Sequence, residues 1–177
     1  MIILENVYVA AESKVRHPGD MWFRENYAGA EVMEILYDLL GEREAHQNIS
    51  HKEMPTFEEH CKFVQSDPYK AWYLIITTDS LFGTGEIVGA IYLTYSNEIG
   101  IQIFRNHQGQ GYGEQAIREL AARFKGPFLA NINPDNEGSI RFFKKLGAKH
   151  LQNTYIIEEV KHEDNNSSVR NTDRSLN

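Results

Sequence analysis

Apolar residues recur along this chain with two different periods, and the places where the period changes predict its elements. Residues 2–9 are dense in β-branched and aromatic side chains, the composition of a first strand, with a helix expected after it. From residue 30 to 43 the positions Val32, Ile35, Leu36, Leu39 and Leu40 recur at three and four, which makes one helix face apolar, and Gly41 stands near the end as a candidate cap. Thr56 with Glu59 has the spacing of a capping box, and the short helix it starts places Phe57, Cys61 and Val64 on one face. Residues 72–77, 87–95 and 99–104 then read as three strands of an antiparallel meander, the first two separated by the turn region Gly83-Thr84-Gly85. After Gly111 the period becomes helical through Ala116, Ile117, Leu120, Ala121 and Phe124, and Gly126-Pro127 ends it. Residues 128–132 form the next strand, 138–146 a helix closed by Gly147, and 155–160 a last strand. A block of strands with helices before and after it predicts an α/β (α+β) domain, a mixed sheet with helices on both faces.

Composition narrows the function classes. The 177 residues hold 18 Lys plus Arg against 25 Asp plus Glu, a formal charge of −7, so binding through phosphate neutralisation is disfavoured and no nucleic-acid partner is expected. The single cysteine, Cys61, excludes an intrachain disulfide and the paired-cysteine zinc and redox motifs. No run approaches the roughly 18 apolar residues of a membrane span, and residues 1–5 lack a secretory leader's pattern, so a cytoplasmic protein with no membrane partner is expected. Residues 161–177 have only Val169 and Leu176 to bury, which makes them a disordered polar tail and leaves residues 1–160 as one domain.

The candidate chemistry lies where the fourth strand runs through Phe104-Arg105-Asn106-His107 into Gln108-Gly109-Gln110-Gly111-Tyr112-Gly113 and a helix. A strand, a glycine turn and a helix N-terminus together bind phosphates, because glycines let successive N–H groups converge and the helix adds unsatisfied donors. The spacing excludes two ligands. A nucleoside triphosphate loop needs Lys and Ser/Thr after its last glycine, and a dinucleotide fingerprint needs glycine where Glu114 stands.

What remains, Gln108-x-x-Gly111-x-Gly113, resembles the pyrophosphate signature of the GNAT superfamily of acyl-CoA-dependent N-acetyltransferases. A second segment, Asn136-x-x-Ser139 leading through Phe142-Phe143-Lys144-Lys145 to Leu146-Gly147, is similar to that family's other coenzyme A element, in the right order. The resemblance covers residues 87–160 well and the first half only in element order. It implies a GNAT fold, with a mostly antiparallel sheet that splays between its fourth and fifth strands, and acetyl-CoA as cosubstrate. The acceptor implied is a primary amine of a small molecule, acetylated by direct attack, and many relatives pair as homodimers. Pantetheine would bond the backbone of Ile101 and Ile103, the Ile101 N–H would stabilise the oxyanion, and residues 108–113 with Asn136, Ser139 and Phe143 would complete the coenzyme A site. Asn136 can also serve simply as a helix cap.

The same resemblance raises the question of proton transfer. An alkylamine with a pKa near ~10 must lose a proton, which at pH 7 costs roughly 4 kcal/mol. Glu98 is the nearby carboxylate, but strand alternation puts it with Gly100 and Gln102, opposite the face of Ile99 and Ile101. The position where some relatives hold a glutamate base is Asn97. Many relatives protonate the departing thiolate with a tyrosine where this chain has Phe143, which leaves Tyr155 as a candidate acid. Gln108 and Gln110 stand where basic residues are frequent, with Arg105 or Lys144 as possible charge partners for the pyrophosphate. His51 and Glu53 fall between the first two helices, which line the acceptor pocket in this fold. His46, His51 and His60 match no zinc spacing, so no metal site is expected. The stretch Asn48-Ile49-Ser50-His51 to His60 faintly resembles members that acetylate nucleotide-linked amino sugars. The rival reading is a catalytically silent acyl-CoA-binding sensor or interaction module.

Overall fold

The computed structural model describes residues 1–7, 29–44, 47, 53–78 and 85–154. Four strands, β1 (Ile2–Asn6), β2 (Ala71–Thr77), β3 (Ile87–Leu93) and β4 (Ile99–Ile103), form one sheet in the order β1-β2-β3-β4, antiparallel at every step. Its helices are α1 (Gly29–Gly41), α2 (Phe57–Gln65), α3 (Tyr112–Arg123) and α4 (Glu137–Lys145). The sheet separates two apolar clusters. Ile2, Leu4, Ile75, Val88, Ile91, Leu93 and Ile99 meet Ala116 and Leu120 of α3 on one face, whereas Trp72, Leu74, Ile76 and Ala90 meet Val32, Leu36 and Leu39 of α1 and Val64 of α2 on the other. Burial on both faces is why β2 reads as an unbroken apolar run and not as an alternation.

The helix ends follow the side chains available. Thr56 caps α2 by accepting from the Glu59 N–H while the Glu59 carboxylate accepts from the Thr56 N–H at 2.8 Å, a complete capping box. Beyond α4, Gly147 at φ +86° lets the Ala148 N–H reach Phe143 O at 3.0 Å and its own N–H reach Lys144 O at 3.0 Å. That is a Schellman closure.

Three expectations are modified. β1 stops at Asn6, with Val7 in a tight turn and Tyr8 and Val9 outside the described residues. β3 stops at Leu93, because Thr94 to Asn97 turn back: the Asn97 N–H reaches Thr94 O at 3.0 Å with Asn97 left-handed at φ +60°, a conformation asparagine tolerates. Residues 128–132 do not form a fifth strand. Phe128, Ala130 and Ile132 are half-buried and alternate with exposed Leu129 and Asn131, yet pairing is confined to one parallel bridge, Glu98 to Leu129. Alternation reports which side of an extended chain is covered, not whether its backbone has found a partner. The last predicted strand, the polar tail and the Gly83-Thr84 turn lie outside the described residues.

Candidate functional site

The register of β4 decides which of its backbone groups are available. The Thr94 N–H donates to Glu98 O at 2.9 Å and the Phe104 N–H to Val88 O at 2.9 Å, so residues 98, 100, 102 and 104 bond toward β3. Ile99, Ile101 and Ile103 therefore point their N–H and C=O groups to the outer edge. The Ile99 N–H finds Leu129 O at 2.7 Å, and the Leu129 N–H finds Asn97 O at 2.9 Å. Beyond that bridge the N–H groups of Ile101 and Ile103 have no strand partner among the described residues. Their side chains pack with Tyr112 against the α3 cluster. An unpaired edge of this kind is a template for an added extended chain.

The edge leads directly into the glycine turn. A 3-10 turn over Arg105–His107 is closed by the His107 N–H on Phe104 O at 2.9 Å, and the side-chain amide of Gln108 donates back to Ile103 O at 3.0 Å. Gln110 likewise donates to Asn106 O at 3.3 Å. Both glutamines thus brace the loop. Gly109 and Gly111 are left-handed at φ +77° and +83°, so it is conformation and not space that demands glycine: an added Cβ at Gly109 would meet nothing within 4 Å. Gly111 caps α3 without a side-chain bond, leaving the first N–H groups of the helix open. The carboxylate in that first turn, Glu114, is held by Arg118 at 2.9 Å and Lys145 at 3.6 Å. The Arg118 bond and then the Lys145 charge lower its pKa, so its negative charge is compensated beside a turn suited to an anion.

The second motif sits against the first. A Cβ at Gly113 would lie 3.3 Å from the Phe142 ring, so glycine permits α4 to approach the start of α3. Asn136 caps α4, its Oδ1 accepting from the Ser139 N–H at 3.0 Å. Phe143 is half-buried with its ring edge-on to Phe142 at 5.1 Å. The two motifs are brought together.

Other predicted residues are placed differently. Arg105 turns away from the glycine turn: its N–H donates to the Glu42 carboxylate at 2.8 Å and its guanidinium to Glu44 at 3.2 Å, tying the loop to the end of α1. Lys144 is exposed in the last turn of α4. Asn97 accepts from Lys70 Nζ at 3.3 Å. The Glu98 N–H donates to Thr94 Oγ1 at 2.9 Å, and alternation puts its side chain on the α1/α2 face, as the sequence parity predicts. Glu53 is exposed ahead of α2, Cys61 is a half-buried free thiol, and His51, His46 and Tyr155 lie outside the described residues. His60 is buried and packs on Tyr37 at 5.3 Å. Among the described residues no three His, Cys, Asp or Glu side chains converge as a metal site would require, and no helix is long and apolar enough to cross a membrane.

Sequence reasoning missed an aromatic and polar group on the α1/α2 face. Tyr92 stacks on Tyr69 at 4.0 Å, with Trp72 edge-on to Tyr69 at 4.9 Å, and burial first, then the adjacent Tyr92 phenol, raises the Tyr69 pKa strongly. Gln102 donates to Leu39 O and accepts from Arg43 Nε at 2.6 Å. The available signal was Gly100 inside an apolar strand, since glycine in a strand often marks the close approach of another group.

Comparison with known proteins agrees with this geometry. Residues 19–149 match the family model described as an acetyltransferase (GNAT) domain. A domain of known structure from Methanocaldococcus jannaschii DSM 2661 superposes with a TM-score of 0.55 at 20% identity, over 87% of this chain and 92% of that one. An N-acetyltransferase from Staphylococcus aureus Mu50 superposes at 0.52 with 15% identity, over 86% and 84%. No curated protein sequence matches the chain. A strand edge, glycine turn and capped second helix in this order, within a domain model that spans most of the sequence, establish that the chain belongs to the GNAT acetyltransferase family.

Proposed function

We propose that this protein transfers the acetyl group of acetyl-CoA to a primary amine of a small molecule by direct attack. The observation that carries the reading is the pair of outward N–H groups, Ile101 and Ile103, on an unpaired edge that ends in the turn from Gln108 to Gly113. The residues fit the cosubstrate: the edge offers donors spaced as an added strand would use them, and the left-handed glycines with the open first turn of α3 offer amides to a pyrophosphate. Bound acetyl-CoA would supply the acyl thioester.

In this reading the Ile101 and Ile103 backbone holds pantetheine in the gap beside residues 128–132. Amides of Gly109, Gln110, Gly111, Tyr112 and Gly113 hold the pyrophosphate, with Gln108 fixing the loop. Ser139, on the helix end capped by Asn136, and Phe143, in the last turn of the same helix, close the far side. The Ile101 N–H stabilises negative charge on the acyl oxygen. Transfer forms an N–C bond and breaks a C–S bond, so the amine gives up one proton and the thiolate departs. Glu98, on the α1/α2 face, is the candidate base. Because Phe143 has no proton to give, Tyr155 is the candidate acid, and a thiolate of modest basicity, pKa about 8.5, can also leave unaided. His51 and Glu53 would touch the acceptor, with nucleotide-linked amino sugars as the first class to try. The working compartment is the cytoplasm, as a monomer or homodimer.

One observation favours a second reading, a silent acyl-CoA-binding module: Phe143 stands where many relatives have tyrosine. Calorimetry with acetyl-CoA, followed by thiol release against a panel of amines, separates the two. Binding with turnover supports the transferase, binding without turnover supports the silent module, and no binding removes both.

A further inference from the structure

Tyr92 on β3 pairs with Gly100 on β4, and its ring crosses that glycine so closely that a Cβ at position 100 would run into the ring and hydroxyl. The phenol is thereby carried one strand sideways, to a point above β4 and beside the residue whose N–H faces the free edge. Its position is fixed from behind. The Tyr69 ring stacks on it with planes 7° apart, and Trp72 meets it edge-on at 6.4 Å. Burial and the neighbouring phenol keep Tyr69 protonated, so it remains a hydrogen-bond donor next to Tyr92.

Residues on one face of a strand repeat about every 7 Å, and along this face of β4 the sequence runs Glu98, Gly100 under Tyr92, and Gln102. Gln102 is itself anchored on Leu39 O and holds Arg43 by its Nε. The guanidinium of the other arginine nearby, Arg105, is held by the Glu44 carboxylate and the Glu42 backbone oxygen, whereas exposed Arg43 has no carboxylate partner among the described residues. A guanidinium pinned through Nε keeps its remaining N–H groups as a planar fork for an oxyanion. The face therefore presents a carboxylate, a phenol and a free cation in that order.

We propose that the acceptor is a primary amine that also carries an anionic group, a carboxylate or a phosphate, lying along the α1/α2 face of β4 with its amine at the Tyr92 hydroxyl and its anion at Arg43. A phenol oxygen accepts one amine N–H and leaves the nitrogen lone pair free to face the strand edge. The inference rests on the acetyltransferase reading above, which supplies the thioester at that edge.

The test is calorimetry on the full chain with coenzyme A present, using a long-chain ω-amino acid, a phosphorylated amino sugar and an alkyl diamine as probes. At least one anionic amine is expected to bind about tenfold tighter than the diamine, and the better of the two identifies the anion. Arg43→Gln is expected to erase that tenfold advantage and leave the diamine unchanged. Tyr92→Phe keeps the ring over Gly100 and is expected to weaken every amine by about three- to tenfold, with acetyl-CoA affinity unchanged. In turnover the Arg43→Gln loss is expected in KM for the anionic amine, with kcat retained. Equal affinity for diamine and anionic amines, or no effect of Arg43→Gln, overturns the inference. Coenzyme A bound with no amine bound overturns it alone, whereas no coenzyme A binding removes the reading on which it rests.

Discussion

The two faces of the sheet are built from different chemistry. Toward α3 the fully buried core is aliphatic: Ile75, Val88, Ile91, Leu93, Ala116 and Leu120 are all 0% exposed, and the aromatic residues on that side, Tyr73, Tyr112, Phe124 and Phe128, are only partly buried around it. Toward α1 and α2 the cover includes Tyr69, Trp72, Tyr92, His60 and Gln102, ring against ring, with hydroxyl, imidazole and amide groups among them. A dry aliphatic face gains from burial and shape alone, whereas an aromatic and polar face retains groups that can orient a ligand at some cost in stability. Between the two faces runs the outer edge of β4, so the face that holds the fold and the face suited to recognition meet at one line of backbone.

The largest test of this division is Leu120→Ala. The side chain is fully buried where α3 meets the sheet, so the substitution is expected to cost about 2–5 kcal/mol in chemical denaturation, while the folded fraction keeps its acetyl-CoA affinity. Tyr92→Phe on the other face is expected to cost less than about 1.5 kcal/mol in the same measurement, because ring volume is conserved. Equal losses would dissolve the distinction. Gly111→Val addresses the line between the faces. A β-branched residue at φ +83° is strained by about 1–3 kcal/mol, and the turn is expected to reshape, lowering acetyl-CoA affinity at least about tenfold by calorimetry. Unchanged affinity would remove the glycine turn from the coenzyme A site.

The division was only half legible in the sequence. Helix and strand periods placed α1, α2, α3 and the meander within a few residues, and the alternation of Glu98, Gly100 and Gln102 against Ile99 and Ile101 held, because these are local consequences of backbone geometry. Gly109 and Gly111 were legible for the same reason, each being needed for its own φ. What was not legible depends on partners far apart in the chain. Arg105 and Arg43 are both anion ligands by residue type, and only the fold shows that the Glu44 carboxylate occupies the first while Gln102 presents the second. Residues 128–132 are extended as a strand would be but pair only at one bridge, since periodicity cannot say whether an edge is bonded.

A smaller effect is expected at Thr56→Ala, which removes the capping box of the helix beside the aromatic face. A lost threonine cap costs about 1 kcal/mol, read as a downward shift of Tm, with acetyl-CoA affinity unchanged. The Thr56 backbone and side-chain bonds lower the Glu59 pKa, so the cap is intact above the ordinary carboxylate value and fades as pH falls through the lowered one. Thr56→Ala is therefore expected to flatten the acid limb of the Tm profile below about pH 4.5.

The smallest effect belongs to His60, and it asks whether polar groups on the α1/α2 face carry a stability cost that the aliphatic face escapes. The imidazole is 5% exposed, packs near Tyr37 and Phe57, and has a buried Nε2 without a hydrogen-bond partner among the described residues. Burial lowers its pKa from the ordinary 6.5, and a backbone bond at Met33 offsets only part of that shift. The folded protein thus holds the ring neutral at pH values where the unfolded chain would protonate it, so the unfolded state binds more protons below about pH 6.5. The contribution is complete above pH 6.5 and is lost as pH falls from there through the lowered folded value. Tm is expected to fall between about pH 7 and 5, and His60→Phe, which fills the same aromatic contact without a titrating nitrogen, is expected to flatten that slope. A slope identical in the variant would assign the pH dependence to other groups and leave the buried Nε2 as a fixed cost of this face at every pH.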